Sequence, residues 1–396
     1  METHTTERRE PPRPCLDGVR VLELGSSIAG PTATKHLADF GAEVIKVEPY
    51  DGDQLRSWGT LAPDGSSWWF KSLNRNKRLV KYDVRKEHDA AEVRAIALTC
   101  DVVVENFRPG WLAAFGLDAA SLRAQKPSLI YVSISGYGQD GPYAQRPGYG
   151  SIAESIGGFR HITGEPGGPP LRIGVSIADE LAALYAALSA AAALRAREVD
   201  GRGDTIDISL TESVFSLLEG VLPDFVHGGR VAGPEGNRLA TVAPSGVYRT
   251  ADDRWIALSG NSQPIFRRLT KAMGAPGMAD DERFADNQSR VANVDELDAR
   301  VGSWIRTLTL AEADRILADH EIPAGPILDI AQIVDHPQIR ARGAVQMIPA
   351  ADGPPVASYR PVPRFGERPM VTGSAAGAVG RDQDAVREAL RVNTKP

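Results

Sequence analysis

Asp179 and Glu180 stand together at the head of an alanine-rich run, Leu181 to Leu194, in the stretch Arg172-Ile-Gly-Val-Ser-Ile-Ala-Asp179-Glu180. An aspartate at a helix start most often serves as a cap. The same position also stabilises the ionised carboxylate through the positive end of the helix, and a partly buried, ionised aspartate is competent as a covalent nucleophile. Three further stretches suit a phosphorylated ligand. Leu73-Asn74-Arg75-Asn76-Lys77-Arg78 gathers amides and cations in succession, either as a solvated turn or as a local basic cluster for a phosphate. Glu105-Asn106-Phe107-Arg108-Pro109-Gly110 closes an apolar run with polar residues, an aromatic and a turn. Gly25-Ser-Ser-Ile28-Ala29-Gly30 departs from the Gly-x-Gly-x-x-Gly spacing, which argues against a nicotinamide site. Its backbone N–H groups, at a helix start, suit a phosphate or an extended amide chain.

The elements that must hold these residues follow from apolar runs and breakers. Val21 to Leu24 reads as a strand, Pro31 as an early helical residue, Gly41 as a helix stop and Ala42 to Glu48 as a second strand, so the first fifty residues make a β-α-β unit. Strands at 101–105 and 129–135 continue the pattern and predict an α/β, doubly wound parallel sheet. Ligands in such sheets lie beyond the carboxyl ends of the strands, where the turn at 25–30 and the stretch at 105–110 both fall. The Gly- and Pro-rich segment from Tyr137 to Gly174 reads as loops lining a site, ahead of a helix from Asp179 to Ala196. A smaller α/β unit follows, with a hairpin turning at Asp252-Asp253 and helices at 263–273, 294–308 and 310–320. The expected division is a frayed leader at 1–15, a large Rossmann-like domain at 16–225, a small domain at 226–336 and a return segment at 337–396. The proline-rich tail reads as a surface strap ending in a helix near 384–391.

Composition excludes several classes. The chain has 396 residues with 42% hydrophobic and 24% charged content, ordinary for a folded protein. A net charge of −6 disfavours a nucleic-acid partner. No run reaches the roughly 18 apolar residues of a membrane span, so no membrane partner is expected. The two cysteines, Cys15 and Cys100, are isolated, which fits a reducing, cytoplasmic setting. The seven histidines show no ligand spacing, and no metal is expected.

Taken in order, these stretches resemble the class III coenzyme A transferases, the family of formyl-CoA and carnitine CoA-transferases and of the α-methylacyl-CoA racemases. The landmarks are Leu16 to Leu24, Ala29-Gly-Pro31, Gly41 to Glu48, Asn74 to Arg78, Glu105 to Gly110, Ser135 to Gly138, Gly201 to Gly203, Ile322 to Pro326 and Arg340 to Gly343. The resemblance implies a large domain built from N- and C-terminal segments, a smaller middle domain, and a homodimer of interlocked rings. It implies that Asp179 is the nucleophile and that coenzyme A contacts fall on Ile28, Ala29, Leu73, Asn74, Arg75, Asn76, Asn106, Phe107, Arg108 and Tyr149. Two arginines of the formyl-CoA transferase pattern are replaced by Pro49 and Ala114, leaving Arg75, Lys77 and Arg108 as candidates for the phosphates. The acid that follows the tyrosine in that pattern is replaced by Gly150, with Glu154 one helical turn further on.

The implied activity moves CoA from an acyl-CoA donor to a carboxylic acid through aspartyl anhydride and aspartyl-CoA thioester intermediates, with acyl-CoA as substrate. A racemase would need the histidine-aspartate pair that Tyr149 and Gly150 replace, and a non-catalytic CoA-binding protein would not need Asp179. Arg160, His161 and Arg172 are the expected contacts for the acids, read as small dicarboxylates with a succinyl-CoA type of donor.

Overall fold

Runs such as Val102-Val103-Val104 and Ile130 to Ile134 are apolar on both sides, the pattern of strands covered on both faces. In the computed structural model, which describes residues 12–351 and 353–393, they lie inside a six-stranded sheet of order β3-β2-β1-β4-β5-β6 with every pairing parallel. Its strands are β1 (Arg20–Glu23), β2 (Glu43–Glu48), β3 (Lys77–Lys81), β4 (Val102–Glu105), β5 (Ile130–Ser135) and β6 (Thr205–Ser209). The intervening helices are α1 (Ala29–Asp39), α2 (Trp68–Leu73), α3 (Glu87–Thr99), α4 (Ala119–Gln125), α5 (Gly150–Ile156), the one-turn α6 (Phe159–Ile162) and α7 (Ile177–Asp200). After β6 come α8 (Leu210–Phe215) and α9 (Val221–Gly228). The order reverses between β1 and β4, so the crevice at a topological switch point opens beyond their carboxyl ends.

One face of the sheet packs on α1 and α7 through small residues, among them Ala29, Ala33, Ala178, Ala182 and Ala186, which let the two helices approach closely. The other face is covered by α3 and α4, with Val93, Ile96 and Leu122 against Leu22, Ile45 and Val103. The chain divides into two units. The larger holds the described residues up to Phe159, then Ile173–Leu222 and the segment from Arg340 onward; the smaller holds Arg160–Arg172 and Pro223–Ile339. In the smaller unit β7 (Ser245–Arg249), β8 (Trp255–Ser259) and β9 (Ala324–Pro326) form an antiparallel sheet. Around its core lie α10 (Gln263–Ala272), α11 (Asn287–Ala292), α12 (Val294–Ile305) and α13 (Leu310–Asp319), followed by α14 (Ile330–Asp335) and α15 (Pro337–Ala341).

The return segment is more than a strap. It forms the hairpin β10 (Val345–Ile348) and β11 (Val356–Tyr359) and ends in α16 (Gln383–Asn393), whose Val386 joins the core under α3. On the way it closes the open edge of β3: Asp382 accepts from Leu79 N at 2.8 Å and donates its own N–H to Leu79 O at 2.9 Å. Covering an edge strand in this way removes a template for unwanted pairing.

Two expectations change. Residues 73–78 are not a solvated turn: they close α2, turn at Asn76 with φ 65°, and enter β3, and Leu73, Asn74, Arg75 and Lys77 are buried. The helix expected at 179–196 begins earlier and ends later, at Ile177 and Asp200, and at this length α7 is apolar enough to cross a membrane by length and composition alone. Its inner face is core, against α1 and the sheet. The leader expected at 1–15 falls, for residues 1–11, outside the described residues.

Candidate active site

Beneath the crevice lies a balanced group of buried charges. Lys46 Nζ donates to Glu23 Oε1 at 2.7 Å and to Gly25 O at 2.9 Å, and pairs with Asp53 Oδ2 at 2.9 Å. Lys77 Nζ donates to Glu23 Oε2 at 2.8 Å, Pro31 O at 2.7 Å and Asn74 Oδ1 at 2.9 Å. Burial alone would raise the Glu23 carboxyl, but Lys46 and Lys77 outweigh it and hold the group below the usual carboxylate range. Burial pushes the Lys77 ammonium down to about 8, Glu23 opposing it. Glu48 adds a bidentate pair with Arg56 at 2.7 Å on each arm, and accepts from Asp53 N at 3.0 Å.

These groups shape the loop after β1. Asp53 accepts from Ser27 N at 3.1 Å, holding Ser27 in the left-handed region at φ 64°, a conformation a non-glycine residue keeps only when its surroundings fix it. Asn106, just beyond β4, clasps the same loop: Ser26 N donates to its Oδ1 and its Nδ2 donates to Ser26 O, both at 2.9 Å. Glycine at 25 lets the two loops approach this closely: a Cβ there would stand 3.0 Å from Asn106 Oδ1 and 3.1 Å from Gly30 Cα. The two loops expected to bind ligand are thus tied to each other.

They open into a cavity of about 240 Å³ whose wall includes Ser27, Ile28, Ala29, Asn106, Phe107 and Arg108 on one side and Tyr149 and Asp179 on the other. Tyr149 reaches it because the backbones of Gly136 and Gly148 touch: a Cβ on Gly136 would lie 2.9 Å from Gly148 Cα, which brings the start of α5 against the end of β5. Asp179 is the third residue of α7 and half-buried. The N-cap is Ser176, without a side-chain capping bond, so Asp179 is a first-turn acid and not the cap. Asp179 and Glu180 both lie where the helix dipole favours negative charge.

Of the residues expected to bind coenzyme A, the cavity therefore gathers Ile28, Ala29, Asn106, Phe107, Arg108 and Tyr149 around Asp179. It does not gather Leu73, Asn74, Arg75 or Asn76. Arg75 is committed to Asp39, with Nε at 2.9 Å from Oδ1, and to Ser358 Oγ at 3.0 Å; Asn76 holds Gly373 N and Val371 O of the return segment. The phosphate candidates Arg75 and Lys77 are thus engaged inside the fold, which leaves Arg108 on the wall. Arg160, His161 and Arg172 belong to the smaller unit, on α6 and the segment after it.

Arg146 and Gln54 also line the cavity, and the sequence reading missed both. Arg146 stacks over Tyr143 at 3.5 Å from the ring centre. The signal available for it was a cation inside the Gly- and Pro-rich loops. Among the described residues no group of three His, Cys, Asp or Glu side chains gathers as a metal site would.

Glu105, at the end of β4, is buried and accepts from Phe107 N at 2.7 Å, fixing the wall residue beside it. Burial pushes its carboxyl up to about 7, against hydrogen bonds from Ser133 and Phe107 N that favour the anion. The folded state then keeps a proton that the unfolded chain loses near its ordinary value of 4.5, so this contribution is full below about 4.5 and is lost as pH rises through about 7. At 1.36 kcal/mol per unit it amounts to about 3 kcal/mol. Relative to wild type, Glu105→Gln should therefore gain several degrees in Tm between pH 5 and pH 8. A difference in Tm that does not change with pH would contradict this.

The chain belongs to CoA-transferase family III, whose family model matches residues 16–383, and it is a CoA-transferase. It is 42% identical over 378 residues to the succinyl-CoA–D-citramalate CoA-transferase of Chloroflexus aurantiacus, covering 94% of each chain. It is 38% identical to the succinate–glutarate CoA-transferase of Agrobacterium fabrum, over 90% of this chain and 94% of that one. Among solved structures, a CAIB/BAIF family protein from Brucella suis matches with a TM-score of 0.85 and 34% identity, over 96% of this chain and 100% of that one.

Proposed function

We propose that this enzyme moves CoA from a succinyl-CoA type of donor to a small dicarboxylic acid through covalent intermediates on Asp179. The observation that carries the reading is the position of the Asp179 carboxylate in one cavity with Ile28, Ala29, Asn106, Phe107, Arg108 and Tyr149. The carboxylate attacks the thioester carbonyl; the C–S bond breaks and the thiolate leaves, giving a mixed anhydride. The thiolate then attacks Asp179 Cγ, expelling the donor acid and leaving an aspartyl-CoA thioester. The acceptor carboxylate attacks that thioester, and the released thiolate takes the acceptor's acyl group from the second anhydride, restoring Asp179. A carboxylate nucleophile suits this sequence because each acyl derivative retains the activation of the original thioester. Either intermediate hydrolyses if water enters, so a closed site is required.

Arg108 and Arg146 are the wall cations available to the ligand's phosphates, and Arg160, His161 and Arg172 stand as contacts for the acids proposed from the sequence alone. The similarity to transferases named for citramalate and glutarate supports dicarboxylate acceptors. A racemase reading leaves Asp179 without a second base, since the resemblance puts Tyr149 and Gly150 where that branch carries a histidine-aspartate pair. The test is a panel of acyl-CoA donors and carboxylic acceptors read by mass spectrometry. Exchange between succinyl-CoA and four- to six-carbon dicarboxylates is expected; exchange confined to aromatic or long-chain monocarboxylates would overturn the substrate assignment.

The working form is read as an interlocked homodimer. Ile152 and Ile156 on α5, Leu184 and Leu188 on α7, and Phe215 and Leu217 at α8 are exposed on three mutually packed helices, an apolar face that a second copy would cover. Linked rings separate only by unfolding, so a folded monomer appearing by light scattering at nanomolar concentration would contradict this. The free thiols Cys15 and Cys100 fit the cytoplasm as its compartment.

A further inference from the structure

Gly150 opens α5, is buried, and sits directly against the nucleophile. A methyl group at this position would overlap Asp179 Oδ2 and come within 2.9 Å of Asp179 Cγ, while Oδ1 lies 3.5 Å away. Its φ is not in the left-handed region, so backbone freedom is not why glycine stands here. The reason is space.

Neither backbone is free to withdraw. The start of α5 is held by the contact of Gly136 with Gly148, by Tyr149 O accepting from Ile152 N at 2.9 Å, and by Ala153 in the core. A second clamp lies at its end, where a Cβ on Gly157 would stand 2.8 Å from Val214 Cβ. The first turn of α7 is held by Ala178 and Ala182, both completely buried. With both elements fixed, a side chain at 150 can be accommodated only by turning the Asp179 carboxylate into another staggered rotamer.

We infer that Gly150 is a positioning residue for the nucleophile, reserving the space that one carboxylate oxygen occupies so that the other is presented to the thioester. This rests on the covalent role of Asp179 proposed above. The inner oxygen, against Gly150, becomes the carbonyl oxygen of the aspartyl half of the anhydride. The outer oxygen forms the new bond to the acyl carbon as the C–S bond breaks and its electron pair leaves with the thiolate. An α-methyl at 150 misplaces both.

The test uses the full-length chain with succinyl-CoA and a dicarboxylate that the wild type accepts. Gly150→Ala should lower kcat by at least about 100-fold, the scale of an ångström of misplacement, with KM for the acyl-CoA within about threefold. Hydroxylamine trapping on the Asp179 peptide should fall in parallel. Ser151→Ala, one residue along α5 and outside the cavity wall, should match wild type. Stability gives a readout that does not depend on catalysis. Gly150→Ala should melt below wild type, whereas adding it to Asp179→Ala should leave Tm unchanged, since the overlapping carboxylate is gone. The inference is overturned if Gly150→Ala keeps kcat within threefold of wild type, or if the double variant melts as far below Asp179→Ala as the single variant does below wild type. A wild type that exchanges no acid pair and takes no label on Asp179 would instead remove the reading on which this rests.

Discussion

Asp179→Asn should lose exchange activity by a factor on the order of 10⁴ or more, the scale seen when a covalent nucleophile is removed, while the protein folds and binds acyl-CoA. Asparagine keeps the shape and removes only the charge. Because Ser176 and not Asp179 is the N-cap of α7, the structural cost is that of a first-turn charge, about 0.3–1 kcal/mol. A 10⁴-fold loss is roughly 5 kcal/mol at 1.36 per decade, well beyond that structural effect. Asp179→Ala should lose as much. Asp179→Glu keeps the charge but advances it by one methylene into a wall fixed by Gly150 and Tyr149, and should retain at most a few per cent of activity. The measurement is steady-state exchange alongside isothermal titration with CoA; wild-type turnover in Asp179→Asn would remove the nucleophile.

The second large effect is on stability. Glu23→Ala takes away the carboxylate that both Lys46 and Lys77 address, leaving two buried ammonium groups with Asp53 as the remaining carboxylate partner. Breaking a buried ion network from one side costs about 3–5 kcal/mol, a fall in Tm of roughly 10 °C in a unit of this size. The damage should reach function, because Lys46 also donates to Gly25 O and Asp53 fixes Ser27. KM for the acyl-CoA should therefore rise with the loss of stability. Adding Lys77→Met should recover part of the lost Tm by removing one stranded charge, a coupling a double-mutant cycle reads directly. A Glu23→Ala protein melting within 2 °C of wild type would contradict this account of the loop.

The central strands were legible because their burial on both faces writes them as unbroken apolar runs, as at Val102-Val-Val104. β3 was not. As an edge strand closed by the return segment it reads Lys77-Arg-Leu-Val-Lys81, with cations among its apolar residues. The same cause misdirected the basic stretch at 73–78. Nothing in a sequence separates a buried lysine from a solvated one when its carboxylate, Glu23, lies 54 residues away, or when the partner of Arg75 is Asp39, 36 residues away. The loops after β1 and β4 were legible because the switch-point rule locates a site from strand order alone. The clasp between Asn106 and Ser26, spanning 80 residues, and the space at Gly150 required coordinates. Asp179 stood out as a candidate from its place ahead of an apolar helix, with the nucleophile's role implied by the resemblance, although the helix starts two residues earlier than its acid suggested.

The most direct measurement of the central claim is a covalent one. Wild-type enzyme incubated with succinyl-CoA and then with hydroxylamine should carry a hydroxamate on the peptide containing Asp179 and on no other, and borohydride should reduce the same carboxyl. Asp179→Asn treated identically should show neither change. Succinyl-CoA-dependent exchange at the wild-type rate, with the Asp179 peptide unmodified under both reagents, would contradict the covalent route.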